Sequence, residues 1–167
     1  MKLKVSYAYN CTPEAYWQMY WDDAFDAKLQ EGSTVDREVV EEREEEGVLH
    51  RRLRFTPHAE LPSPVARLIG SKKLVYDQAN AWHKSDSVMT WEVLPTFISA
   101  DKFAAKGTFK IVPTAGGCEM HVDGDIDVKV RFIGGKIEQE IIKNIDAAYA
   151  KMHHSALEWM TSNRGNS

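Results

Sequence analysis

The chain has 167 residues, 43% of them apolar, a formal net charge of -4 and a pI near 5.9. That length and composition fit one globular domain over residues 1–167 with a sizeable core, and the acidic balance argues against a nucleic-acid footprint, which needs a concentrated basic face. No apolar run approaches the ~20 residues of a membrane-spanning helix, and two cysteines, Cys11 and Cys118, are too few for a disulfide framework.

The first residues read as a strand, with Leu3, Val5, Tyr7 and Tyr9 alternating with Lys2, Lys4, Ser6 and Ala8. They lack the charged and apolar regions of a signal peptide, so a cytoplasmic, reduced protein is the expectation. Thr12-Pro13-Glu14 then starts a helix, with Thr12 as N-cap, Pro13 in the first helical position and Glu14 at the positive end of the dipole. Two short helices, about 13–20 and 22–31, end at Gly32.

Residues 34–56 form a predicted hairpin that turns near Glu45-Glu46-Gly47. Glu38, Glu41, Glu42 and Glu44 oppose Arg51, Arg52 and Arg54, so the acidic run is half of a cross-strand ladder. With Leu53 and Phe55 turned inward, the two-residue period also turns Arg51 inward, on the face of Val35, Arg37, Val39 and Glu41. Such an arginine near Glu41 is either a buried ion pair near the rim, the favoured reading, or a polar anchor for a ligand head group.

Pro57, Pro62 and Pro64 break the pattern, and Val65, Leu68 and Ile69 recur at helical spacing before Gly70 and Lys72-Lys73. Residues 57–73 are thus a long loop with one short helix, either a lid or a surface connector. Strands near 74–83 and 87–94 follow, joined around Ser85-Asp86, with no clear choice of face. The connection Pro95-Thr96-Phe97-Ile98-Ser99 sets two large apolar side chains on a loop tip.

The last third alternates strictly. Phe103, Ala105, Gly107, Phe109 and Ile111 oppose Lys102, Lys106, Thr108 and Lys110 across one strand; Cys118, Met120, Val122, Gly124, Ile126, Val128 and Val130 oppose acidic neighbours across the next. After Gly134-Gly135 the period becomes helical, with Ile137, Ile141, Ile145, Ala148, Met152, Ala156 and Trp159 on one stripe. At 1.5 Å per residue this helix is roughly 40 Å long. The fold class is α+β: a curved seven-stranded antiparallel sheet around a long C-terminal helix, with two short helices after the first strand.

No Walker loop, dinucleotide-binding glycine pattern, nucleophile elbow or zinc pattern is present, and no catalytic residue, metal or cofactor is expected. His153-His154, about 100° apart on a helix, read as a surface pair rather than a metal site. Cys118 is a small apolar filler, and Cys11 has no base near it in sequence. Ala105, Gly107 and Gly124, facing Ala148 and Ala156, either let sheet and helix approach closely or leave space. A ligand cavity is the favoured reading.

The order of elements and the segment Asp127-Val128-Lys129-Val130-Arg131-Phe132-Ile133-Gly134-Gly135-Lys136-Ile137-Glu138 resemble the START-like (SRPBCC, helix-grip) superfamily, which includes lipid-transfer START domains, the birch-pollen-allergen family and polyketide aromatase/cyclases. The likeness is to an uncharacterised bacterial branch; Trp82, Gly107 and the Pro113–Gly117 turn match as well. It implies a small hydrophobic partner, a lipid, sterol or polyketide-like molecule, between sheet and helix, with transient membrane contact through loops 57–73 and 95–101. It carries over no catalytic set. The expected function is non-enzymatic binding and intracellular transfer of such a ligand. Candidate lining residues are Arg51 as polar anchor, Leu53, Phe55, Tyr76, Gln78, Trp91, Phe103, Ala105, Gly107, Phe109, Met120, Val122, Ile141, Ile145, Ala148 and Met152. A large apolar residue at Gly107 or Ala148 is then expected to abolish uptake with the fold intact. Two other readings stay open: an aromatase/cyclase-like or hydrolase-like enzyme using Tyr76, Arg51 or Glu92, and a co-chaperone-like interaction module.

Overall fold

Seven antiparallel strands pair in the order β1-β7-β6-β5-β4-β3-β2 in the computed structural model, which describes residues 1–96 and 98–163. They are β1 (Lys2–Tyr9), β2 (Val35–Glu45), β3 (Val48–Pro57), β4 (Tyr76–His83), β5 (Val88–Leu94), β6 (Phe103–Thr114) and β7 (Gly117–Val128). The helices are α1 (Pro13–Tyr20), α2 (Asp23–Glu31), α3 (Ser63–Ile69) and the 30-residue α4 (Gly134–Asn163). Phe97, expected on the β5–β6 loop tip, lies outside the described residues; Ile98 beside it packs half-buried against the core.

Local signals set the element ends. Thr12 Oγ1 accepts from the Ala15 N–H at 3.2 Å, and Asp22 caps α2 by accepting from Ala24 N–H at 2.8 Å and Phe25 N–H at 3.2 Å. Glu46 (φ 52°) and Gly47 (φ 79°) both lie in the left-handed region, as the tight β2–β3 turn requires. The expected alternation holds on β1, where Leu3, Val5 and Tyr9 are buried and Tyr7 half-buried, and on β6 and β7.

Register resolves the faces of β4 and β5. Tyr76, Gln78 and Asn80 stand opposite Phe55, Leu53 and Arg51, and Trp91 stands opposite both Asn80 and Gly107. Directly opposed residues of an antiparallel pair share a face, so all of these line the inner side. Glu92 pairs with Lys106 on the outer side and is exposed, which removes it from the interior where it was expected.

The β2–β3 ladder carries one correction. Glu38 opposes Arg54 and Glu41 opposes Arg52, but the register shifts between Val39 and Glu41. The extra residue, Val40, inverts the alternation, so Glu42 rather than Glu41 meets the inward Arg51, with Oε2 3.0 Å from Nε.

Helix α4 crosses β7 and β1 and touches α2. Its seated face is turned from the expected stripe toward Ile142, Tyr149 and His153, with Ala156 fully buried; Ala148 is exposed and Met152 half-buried. His153 is therefore half-buried rather than a free surface residue. Its flat ring fits a slot on the sheet, stacked on Tyr7 at 4.3 Å between centroids and edge-on to Tyr9 at 5.0 Å, while His154 points out to Glu158 at 3.0 Å. Burial pushes the His153 pKa down.

Candidate functional site

The space expected at the small inward residues of β6 and β7 is filled. Gly107 and Gly124 oppose each other, and the Trp91 indole lies across both: a Cβ at Gly107 would stand 2.7 Å from the indole and 1.9 Å from the Asp123 carbonyl oxygen, and one at Gly124 2.5 Å from the indole. These glycines admit a neighbouring strand's ring, not a ligand. A large residue at Gly107 would break the sheet, contrary to the expectation that the fold would survive it, and Ala148 faces away from the sheet contact.

Phe103, Ala105, Phe109, Met120 and Val122 are likewise buried in the packed core. Helix α1 supplies their cover because Tyr16 and Trp17 share one of its faces: Phe109 has the rings of Trp17 at 5.7 Å, Tyr20 at 5.6 Å and Tyr16 at 6.3 Å. The Tyr16 hydroxyl donates to Met120 Sδ at 3.7 Å.

The other inward half of the sheet differs. Leu53 is buried, but Arg51, Phe55, Tyr76 and Gln78 remain half-buried although they face inward, as do Ile141, Ile145 and Tyr149 on α4. Phe55 stacks on Tyr76 at 5.1 Å. Tyr76 is pushed up to about 12 by burial, and Tyr149 is raised further by burial with Tyr20 and Tyr76 nearby, so both hydroxyls are neutral donors at pH 7.

A polar corner flanks this apolar surface. Gln78 Nε2 donates to Asn80 Oδ1 at 2.8 Å, and Asn80, 8% exposed, opposes Arg51. The Arg51 guanidinium lies 5.1 Å from the Trp21 ring centroid. Its contact with Glu42 is ionic but out of line for a hydrogen bond, so the Nε–H is buried with no acceptor among the described residues. The indole N–H groups of Trp17, Trp21 and Trp82 are buried and unaccepted in the same way. Trp82 packs 4.8 Å from Trp21 and 5.2 Å from Trp17, and burial raises Tyr20 against the lowering fields of Arg37 and Arg51. The corner is thus rich in donors and short of acceptors. Asn80, Glu42, Tyr149 and the Trp21–Trp82 pair are absent from the sequence reading of the site; the hairpin register, which sets Asn80 opposite Arg51, is the signal that reveals the first.

Among the described residues no group of three His, Cys, Asp or Glu side chains could hold a metal ion. Cys11 and Cys118 have their sulfurs 3.9 Å apart, and burial pushes the Cys118 thiol up to about 12, which keeps it protonated. Asp77, 1% exposed, is on the outer face, gripped by Arg52 and Arg54 through their Nε–H groups at 2.8 Å each; hydrogen bonding from Arg54 leads in holding its carboxyl below the ordinary value. That outer face also carries an open trough of about 870 Å³, floored by Ala79, Ala81, Thr90 and Thr108 and rimmed by Lys2, Lys4, Lys106, Asp123 and Asp125.

A curved antiparallel sheet holding a long terminal helix over its inner face defines the helix-grip fold of START-like proteins. Solved structures share it. A START superfamily protein from Mycobacterium smegmatis matches with a TM-score of 0.61 and 17% identity over 95% of this chain and 98% of its own. TTHA0849 from Thermus thermophilus matches with 0.64 and 15% over the same shares. The Zhui aromatase/cyclase from Streptomyces sp. R1128 matches with 0.61 and 9%, covering 93% of each chain. No curated protein matches in sequence. By its sequence the chain belongs to the family described as protein of unknown function (DUF2505), whose pattern spans residues 4–160. No helix among the described residues is long and apolar enough to cross a membrane.

Proposed function

We propose that this protein binds a hydrophobic ligand with a polar, oxygen-bearing end, a lipid or sterol, without turning it over, between the inner face of β3 and β4 and helix α4. The observation that carries this reading is the partial exposure of side chains that face inward: Phe55, Tyr76, Ile141 and Ile145 present apolar surface that protein atoms leave partly uncovered. The Arg51 guanidinium, already beside the Glu42 carboxylate, and the unaccepted indole N–H groups of Trp21 and Trp82 supply donors for a carbonyl, hydroxyl or carboxylate oxygen. Leu53 forms the floor and Gln78 with Asn80 the polar flank. Intracellular transfer, with loops 57–73 and 95–101 meeting a bilayer, completes the proposal.

Native mass spectrometry of the purified protein, with organic extraction of whatever accompanies it, tests the reading. A stoichiometric lipid or sterol is the expected result. An empty protein that also ignores a panel of fluorescent lipids and sterols overturns it.

A second reading has its own observation. Arg51, Asn80, Gln78 and the neutral Tyr76 gather polar groups on one interior wall, and a structural neighbour is an aromatase/cyclase, so a polyketide-like chain held there could be cyclised by acid–base assistance. Turnover of such a substrate, lost in Asn80→Leu with the fold retained, would establish the enzyme.

A further inference from the structure

We propose that the β7–α4 turn is a docking point for an anionic lipid bilayer, with Phe132 as the inserted side chain. Phe132 is 86% exposed, and its φ of 70° is a conformation aromatic residues seldom adopt; it turns the ring outward while Ile133 beside it stays half-buried. The turn is held on both sides: Lys129 N–H donates to the Lys102 carbonyl at 2.8 Å, and Gly134 N–H to that of Val130 at 2.9 Å. A Cβ at Gly134 would come 2.2 Å from the Val128 carbonyl oxygen. The ring is therefore presented by a tightly packed turn.

Charge decides what it is presented to. Exposed Lys102, Lys129, Arg131 and Lys136 lie on this turn or on the strand end bonded to it, with exposed Asp101 and Asp127, and the Arg131 guanidinium lies 4.8 Å from the ring centroid. The registers Phe55 to Tyr76 and Phe103 to Val128 bring loop 58–75 to the same end of the sheet. That loop adds Arg67, Lys72 and Lys73 against Glu60, with Leu68 47% exposed. Over residues 58–75, 101–102 and 127–136, seven cations stand against three acids in a chain whose total is -4. A protruding aromatic ring with long, flexible cations on the same end of the sheet fits the headgroup boundary of an anionic bilayer, where the ring meets acyl chains and the cations meet phosphate or carboxylate. As the place where a hydrophobic ligand is exchanged, the turn rests on the ligand-binding reading above; docking itself is measured without ligand.

The test is sedimentation with vesicles of phosphatidylcholine and phosphatidylserine in a two-to-one ratio, and with phosphatidylcholine alone, at low salt. The full chain is expected to bind the mixed vesicles and not the neutral ones. Phe132→Ala should weaken binding roughly tenfold, and Lys129→Ala with Arg131→Ala about fivefold per charge removed. Because Phe132 is so exposed, Phe132→Ala should melt within a degree or two of the parent, which separates lost docking from lost fold. No binding to anionic vesicles, or equal binding by Phe132→Ala, overturns the proposal. Equal affinity for soluble polyglutamate, insensitive to Phe132→Ala, also overturns it and assigns the patch to an acidic polypeptide. A protein that retains a co-purifying ligand yet ignores vesicles breaks this inference alone, whereas one that docks but carries no ligand breaks the ligand reading alone.

Discussion

Strands β1, β7, β6 and β5 bury most of their inner side chains under α1 and α4, whereas β3 and β4 leave Arg51, Phe55, Tyr76 and Gln78 half-covered on the same face of the same sheet. The first half has aromatic rings in every gap, down to Trp91 across two glycines. In the second, α4 makes few contacts with the strands, and Arg51 lies beside the unaccepted indole N–H groups of Trp21 and Trp82, although the closed half has its own in Trp91. One half can thus carry the stability of the fold while the other keeps a surface free for binding, which a uniformly packed core cannot do.

Substitutions in the closed half should give the largest effects. Gly107→Val sets a Cβ against backbone on β7 as well as against Trp91, so it should cost more than about 4 kcal/mol and yield little folded protein, read by denaturant unfolding. Trp91→Ala vacates that slot and should cost about 3–5 kcal/mol. If either is tolerated with less than about 1 kcal/mol lost, the division into halves fails.

In the open half the same readout should barely move. Arg51→Met removes a half-buried cation whose partner Glu42 is half-exposed, so stability should change by under about 1 kcal/mol. Ligand occupancy by native mass spectrometry should fall by about tenfold, the loss of one charge-assisted hydrogen bond.

Acid separates the halves in another way. His153 has a lowered native pKa, so its contribution is complete above the ordinary histidine value of 6.5 and is lost as pH falls below it toward the native value. Asp77 has a lowered carboxyl pKa, and its contribution persists until pH falls below 3.8. Urea midpoints should decline in two stages, the first absent in His153→Phe and the second made smaller in Asp77→Asn, since Asp101, Asp125 and Glu158 share the low range. The smallest effect belongs to the β7–α4 turn: Phe132→Gly, free of the left-handed penalty, should gain about 0.5–1 kcal/mol in the same unfolding measurement.

Much of this architecture is legible in the residues. Alternation locates β1, β6 and β7, Thr12-Pro13 and Gly32 bracket the short helices, and Gly47 marks the hairpin, because each is a local constraint on a few dihedrals. The site is less legible, for non-local reasons. Val40 inverts the parity of half a strand, yet nothing in the residue itself marks a bulge. Inward glycines at 107 and 124 look like vacant space until register brings Trp91 over them. The azimuth of α4 depends on which ring fits beside Tyr7, and a half-apolar histidine wins where a tally of hydrophobic residues favours Ala148.

The tryptophans also give the molecule a built-in optical record. Trp21, Trp82 and Trp17 lie 4.8 and 5.2 Å apart in sequence of contact, beside Arg51, whereas Trp91 lies across two glycines in the closed half. Chromophores that close share excitation, so the near-ultraviolet circular dichroism of the cluster depends on its mutual angles, while Trp91 contributes a fixed background. A guest arriving at the polar corner must perturb those angles or the field around them, and its entry can be followed in unlabelled protein from the chain's own absorption.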